Sequence, residues 1–159
     1  MADLASPTEL EQLSAVEERA WRALVKAHAC LVKRLDAQLE AAHGLPLTSY
    51  EVLVRLSKSE GGKLRMHDIA SSVLLSRSGL TRLIDRLERD GLVNRCSCEN
   101  DARGAYAVIT DTGRERVAEA RATNLDGVRS LFVAHYSEAE LELLGPLLER
   151  LLPSDGCCS

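Results

Sequence analysis

At 159 residues, 45% of them hydrophobic, the chain has the size of one ordinary domain and can bury a single core. Aromatic residues make up only 3% while Leu, Ala, Glu and Arg are abundant, which sets a sheet sandwich aside in favour of helices packed on helices. The net charge of −4 does not exclude a polyanionic partner, because residues 117–159 hold seven acids against three bases whereas residues 60–116 hold ten bases against nine acids.

The opening MADLASPTELEQL has no cationic segment leading into an apolar run, and no later stretch approaches the roughly 18 apolar residues of a membrane span. A cytoplasmic protein without signal peptide or membrane partner is expected. The five cysteines, Cys30, Cys96, Cys98, Cys157 and Cys158, are spaced neither as a disulfide scaffold nor as a paired CxxC zinc site. Reduced thiols are the default, with no metal and no cofactor.

Four stretches, TELE at 8–11, TSYE at 48–51, TGRE at 112–115 and SEAE at 137–140, place Glu three residues after Ser or Thr, the reciprocal capping pattern of a helix start. From about residue 9, Leu10, Leu13, Ala20, Leu24, Leu31, Leu35 and Leu39 recur every three or four residues or multiples of that spacing, predicting a long helix that Gly44 and Pro46 stop. Cys30 lies beside this stripe, where burial is expected. A second helix over about 48–58 turns Val52, Leu53 and Leu56 inward and ends at Gly61 and Gly62, and a short one over 66–75 buries Ile69, Ala70 and Val73.

The next segment, SRSGLTRLIDRLERDG, begins with Ser76 as a suitable N-cap and ends with Gly91, which can take the left-handed closing conformation. Leu80, Leu83, Ile84 and Leu87 share one face at i, i+3, i+4, i+7; Arg77, Ser78, Thr81, Arg82, Asp85, Arg86 and Arg89 lie on the other. Arginine bonds guanine bidentately, hydroxyls reach bases or phosphate, and a helix N-terminus favours phosphate, so this end suits a major groove. The competing reading is a solvated amphipathic helix whose own Asp85, Glu88 and Asp90 partner its arginines.

After Gly91 the period changes. LVNRCS at 92–97 and AYAVIT at 105–110 read as two strands joined by CENDARG, a two-stranded hairpin with Arg103 near its tip. Helices follow over about 112–135, carrying Val117, Leu125, Val128, Leu131 and Phe132, and over about 138–152, carrying Leu141, Leu144, Leu148 and Leu151; beyond Pro153 a frayed tail is expected. The fold class is therefore mainly α with a small β-hairpin, a helix-turn-helix followed by a wing. No G-x-S-x-G, H-E-x-x-H or phosphate loop is present and the four histidines lie in different elements, so an enzyme is not expected.

The run from Ser76 to Arg95, S-x-x-x-L-T-R-L-I-D-R-L-E-x-x-G-L-V-x-R, and the D-x-R-G followed by I-T-x-x-G formed by Asp101, Arg103, Gly104, Ile109, Thr110 and Gly113 resemble the MarR family of bacterial transcription regulators in element order over roughly residues 20–150. The resemblance implies a homodimer built from the first and last helices, recognition helices in adjacent major grooves of a duplex operator, and a wing whose Arg103, supported by Asp101, reaches a minor groove. In those terms residues 1–45 and 112–152 form the helical dimerisation region, 46–111 the winged DNA-binding region, and 153–159 a flexible tail. The DNA-binding residues would be Arg77, Ser78, Thr81, Arg82, Arg86 and Arg103. Ala102, Gly104 and Ala105 depart from a wing with a second basic residue.

Apolar stripes around Leu10, Leu13, Leu131, Leu141, Leu144 and Leu148 are the expected dimer contacts, since a chain this small would otherwise leave large apolar faces in water. The resemblance also points to a small aromatic or acidic effector between the dimerisation helices and the winged region. Trp21 and His28, seven apart on one helix face, and Tyr50 are the residues offered for it. Two alternatives stay open: a redox-sensing regulator using Cys96, Cys98 or Cys30, and a helical interaction module that binds no DNA.

Overall fold

The computed structural model describes residues 12–73, 76–98 and 101–152, with side chains throughout except at Ser72, Arg77, Ser97, Cys98 and residues 101–104. Among these residues the order is α1 (Ala15–His43), α2 (Leu47–Lys58), β1 (Lys63–Arg65), α3 (Met66–Val73), α4 (Arg77–Arg89), β2 (Val93–Cys98), β3 (Asp101–Ile109), α5 (Asp111–Leu131) and α6 (Glu138–Glu149). Leu10, the TELE signal and the tail beyond residue 152 lie outside the described residues. No described helix is long and apolar enough to cross a membrane.

The chain divides into two units at Arg34 and Leu35, inside α1. In the first unit the helix starts at Ala15, where the Ser14 N–H donates to Glu17 Oε2 at 2.8 Å and the Glu17 N–H to Ser14 Oγ at 3.3 Å. This reciprocal cap at Ser14 begins the described helix some residues later than the expected start near residue 9. Much of the apolar character of this segment faces solvent: Val16, Trp21, Val25 and Val32 are 40–67% exposed. Cys30 is also exposed, which corrects the burial expected for it: it lies to the side of half-buried Leu31 on the helix, not on the stripe itself.

The second unit holds the core. Leu39 at the end of α1 is fully buried and joins Val52, Leu53 and Leu56 of α2, Ile69 of α3, Leu80, Ile84 and Leu87 of α4, Val93 and Ala107 of the sheet, and Ala120 of α5. The i, i+3, i+4 spacings read from the sequence for α2 and α4 are these inward faces. α2 starts without a capping side chain of its own, because Pro46 occupies the N-cap position. Asp36, eleven residues upstream, accepts the Leu47 N–H at 2.8 Å instead, so TSYE does not open this helix. At the other ends, Arg116 donates to the His43 carbonyl at 2.5 Å and Arg114 to the Ser57 carbonyl at 3.3 Å, so two arginines of α5 satisfy the last carbonyls of α1 and the α2 terminus.

Gly61 and Gly62, at φ +64° and +69°, take left-handed turns that bring the chain from α2 into β1. This three-residue strand was not expected. It pairs antiparallel with β3, Leu64 opposite Ala107, and completes a three-stranded sheet of order β1-β3-β2 rather than a bare hairpin. β2 and β3 pair from Val93↔Ile109 to Ser97↔Ala105, with a register shift before Cys98↔Asp101.

α5 begins at Asp111 with Thr110, not Thr112, as its cap. Thr110 Oγ1 accepts the Gly113 N–H at 3.0 Å and donates to the Gly91 carbonyl at 2.7 Å, and the Thr110 N–H reaches the Leu92 carbonyl at 3.1 Å. The I-T-x-x-G motif thus ties the base of the hairpin to α5. That helix ends at Leu131, before the expected 135, and a 3-10 turn at Val133–His135 follows. α6 opens with the expected capping box at Ser137 and Glu140 and contains Pro146.

Candidate nucleic-acid interface

Ser76 caps α4 as its sequence position predicts, its Oγ accepting the Gly79 N–H at 3.1 Å and lying 3.2 Å from Ser78 Oγ. Leu80, Leu83, Ile84 and Leu87, all at most 6% exposed, fix the helix on the core and turn the opposite stripe outward. The left-handed Gly91, φ +73°, closes it: the Gly91 N–H bonds the Glu88 carbonyl and the Leu92 N–H the Leu87 carbonyl at 2.8 Å. The outward stripe therefore runs from Ser78 through Thr81 and Arg82 to Asp85, Glu88 and Arg89.

Its charges are sorted in a way that the sequence did not disclose. Among the described residues Asp85 and Glu88 do not pair with the helix's own arginines; both are taken by Arg95 of β2. The Arg95 guanidinium reaches Asp85 Oδ1 at 2.5 Å, Glu88 Oε2 at 3.8 Å and the Thr81 carbonyl at 3.2 Å, and the Arg95 N–H donates to Glu88 Oε1 at 3.1 Å. Alternation along the strand places Arg95 on the same sheet side as buried Val93, opposite Ala107, which is why it points at α4. With side chains 35–44% exposed, such pairs contribute only about 0–1 kcal/mol each to stability after solvent screening.

Arg86 is likewise engaged, donating to Oγ of the buried Ser49 on α2 at 3.1 Å. Arg82 and Arg89 are exposed and have no hydrogen-bond or ion-pair partner among the described residues. Arg82 borders a surface groove of about 380 Å³ with Thr48, Gly79, Leu83 and Arg86. The amphipathic-helix alternative offers Asp85, Glu88 and Asp90 as partners for these arginines; among the described residues Asp85 and Glu88 pair with Arg95 instead.

The hairpin follows α4 directly, as expected of a wing. The side chains of Arg77, Asp101, Arg103 and Cys98 lie outside those described. On the outward sheet side, Lys63 Nζ stands 4.2 Å from the centre of the Tyr106 ring and the Arg65 guanidinium 5.4 Å from it, with half-buried Cys96 opposite Tyr106 on β2. The described residues contain no group of three or more His, Cys, Asp or Glu able to hold a metal.

Of the residues expected at a dimer contact, Leu13 and Leu148 are exposed at 58% and 37%, Leu141 and Leu144 are half-buried, and Leu131 is buried at 6%. The larger exposed set on and after α6 is Leu143, Leu147, Leu151 and Leu152, each 51–69% exposed. The i, i+4, i+8 spacing of the first three was the signal that could have found them. Of the residues offered for an effector, Trp21 and His28 are exposed, whereas Tyr50 is 7% exposed in the core of the second unit. Burial raises the Tyr50 phenol above its usual range, partly opposed by the charge of Arg121.

Residues 43–104 match the profile of the MarR family. Among solved structures, the chain is 34% identical to AbsC, a MarR family transcriptional regulator from Streptomyces coelicolor, covering 89% of this chain and 95% of that one with a TM-score of 0.82. It is 33% identical to Sco3205 of the same organism, a MarR family regulator solved in complex with DNA, covering 92% and 97% of the two chains with a TM-score of 0.83. Among curated proteins, the homoprotocatechuate degradative operon repressor of Escherichia coli is 30% identical over 94 residues, an alignment that spans 59% of this chain and 63% of that relative.

Proposed function

The chain belongs to the MarR family of transcriptional regulators, and from that premise we propose that it is a sequence-specific DNA-binding regulator, not an enzyme, acting in the cytoplasm as a homodimer on a pseudo-palindromic duplex operator. Residues 46–111 form the DNA-reading region, residues 1–45 and 112–152 the dimerisation region, and 153–159 a tail. α4 enters the major groove with Arg77, Ser78, Thr81 and Arg82 leading and Arg86 behind them, while Arg103, supported by Asp101, extends from the wing toward a minor groove or phosphate.

Arg82 carries this reading. It is an exposed guanidinium without a partner among the described residues, on one stripe with Ser78 and Thr81, in the first turns of a helix whose N-terminus Ser76 caps. Replacing a base-reading arginine costs about 1–3 kcal/mol and relaxes preference at one position per half-site. Arg82→Ala, measured on a site selected by the parent protein, should do both; unchanged affinity and preference would reject the docking of α4.

Dimerisation is supported by the apolar side chains that single chains leave in water, including Leu13, Leu148, Leu143 and Leu147. A small aromatic or acidic effector completes the proposal. An effector that weakens DNA binding must bind the free protein more tightly than the DNA-bound protein. Thermal-shift screening of aromatic acids with and without operator tests this, and hits that bind both forms equally would remove the effector.

A further inference from the structure

We propose that Arg95 is the positioning and charge-compensating residue of the DNA-reading helix: it masks two carboxylates on the groove-facing stripe and locks the helix to the wing. This inference rests on the DNA-binding reading above.

The stripe explains the need. Ser78, Thr81, Arg82, Asp85 and Glu88 follow one another at spacings of three residues or one, so the two carboxylates share the side that would face phosphates. Left unpaired, they would oppose a polyanion at the surface meant to receive it. Among the described side chains no cation of α4 covers them: Arg86 is held by Ser49, and Arg82 and Arg89 form no ion pair. Among the described residues Arg95 alone reaches both, through Asp85 Oδ1 at 2.5 Å and Glu88 at 3.1 Å from its N–H and 3.8 Å from its guanidinium.

The same guanidinium also donates to the Thr81 carbonyl at 3.2 Å. That bond fixes the backbone of a residue on the reading stripe to β2, while Arg86 fixes the other flank to α2 through Ser49. Rotation of α4 about its axis is thereby opposed from two sides. A planar fork can serve carboxylate and carbonyl together in this way, whereas a lysine ammonium is a point charge on a flexible stem.

The test uses the full chain and a duplex selected by it from random sequence. Arg95→Met is expected to weaken binding roughly 10- to 100-fold at low salt, with the deficit shrinking as salt screens the uncovered carboxylates. Adding Asp85→Asn and Glu88→Gln to Arg95→Met should restore affinity to within about threefold of the parent, because the repulsion is gone, while discrimination against mismatched sites stays reduced. A merely structural Arg95 would give a loss that salt does not shrink and that the two neutralising changes do not rescue. A folded Arg95→Met that binds within about twofold of the parent would also overturn the proposal. Should Arg95→Met not fold, Asp85→Asn with Glu88→Gln and Arg95 retained is expected to bind unrelated duplexes more tightly and to discriminate less; unchanged discrimination would overturn the positioning role. If the parent selects no sequence at all, the DNA-binding reading fails and this inference falls with it; a parent that selects a site with an indifferent Arg95→Met sinks the inference alone.

Discussion

Gly113→Ala tests the joint between wing and α5. Gly113 sits in the first turn of α5, and a Cβ built there would press on the Leu92 carbonyl oxygen and on Ile109 Cγ1. Neither neighbour can yield easily. The Leu92 carbonyl already accepts the Thr110 N–H at 3.1 Å, and Ile109 is 6% exposed within the core. Overpacking of this kind costs about 1–3 kcal/mol, against a gain of roughly 0.5–1 kcal/mol when Ala replaces Gly in a helix interior. A net loss of about 1–2 kcal/mol follows, or roughly 2–8 °C in Tm for a chain of this size. Two other glycines calibrate it. At Gly127 a Cβ meets only Leu35 Cδ2 and Gln38 Oε1, both ends of side chains that can turn away, so the cost should be smaller; at Gly145 nothing lies within 4 Å, so alanine should be neutral or stabilising. Urea and thermal unfolding at fixed protein concentration provide the assay, since dimerisation couples stability to concentration. Gly113→Ala as stable as the parent would refute the tight joint.

Leu143→Glu with Leu147→Glu, at side chains 69% and 51% exposed, should convert a dimer to monomer in sedimentation: covering each in a dimer is worth about 1–2 kcal/mol of the 1.5–3 for a fully buried leucine. An unchanged dimer would place the interface elsewhere. Hydrogen bonds from the Ser137 N–H and hydroxyl hold the Glu140 carboxyl below its usual range, so its folded pKa lies under its unfolded value. Its stabilising contribution is present above the ordinary glutamate value of about 4.3 and disappears as pH falls through the folded pKa; Glu140→Gln should flatten that acid limb in melts recorded against pH. Arg103→Ala should weaken binding to many sequences alike and reduce the salt slope, whereas a loss confined to one base would contradict a minor-groove or phosphate role.

The parts of this fold that were legible in the sequence are those whose signals are local and periodic. Leu80, Leu83, Ile84 and Leu87 mark the inward face of α4 by spacing alone, and Ser76, Gly91 and the Ser137–Glu140 box mark its ends and the start of α6. What stayed hidden acts across the chain. β1 is three residues long, too short to show a period, and becomes a strand only by pairing with β3. TGRE competed with Thr110 for the start of α5, and the contact of Thr110 with Gly91, nineteen residues away, decided it. Asp36 caps a helix from outside it. Arg95 looked like the end of a motif; only the strand's pleat shows that it points back at Asp85 and Glu88. Cys30 is exposed one position before half-buried Leu31, beside the apolar stripe and not on it, a difference that nearness in sequence does not show.

Selection of bound fragments from random duplex DNA, followed by titration of the enriched site at several salt concentrations, measures operator recognition by α4 itself. A homodimer that reads DNA through α4 should enrich a site with two-fold related halves about one helical turn or a multiple apart, bound by two chains, with log affinity falling linearly against log salt with a slope of several units. Arg82→Ala should lose preference at one position in each half. An enriched sequence without two-fold symmetry, no enrichment at all, or binding indifferent to salt and to Arg82 would contradict it.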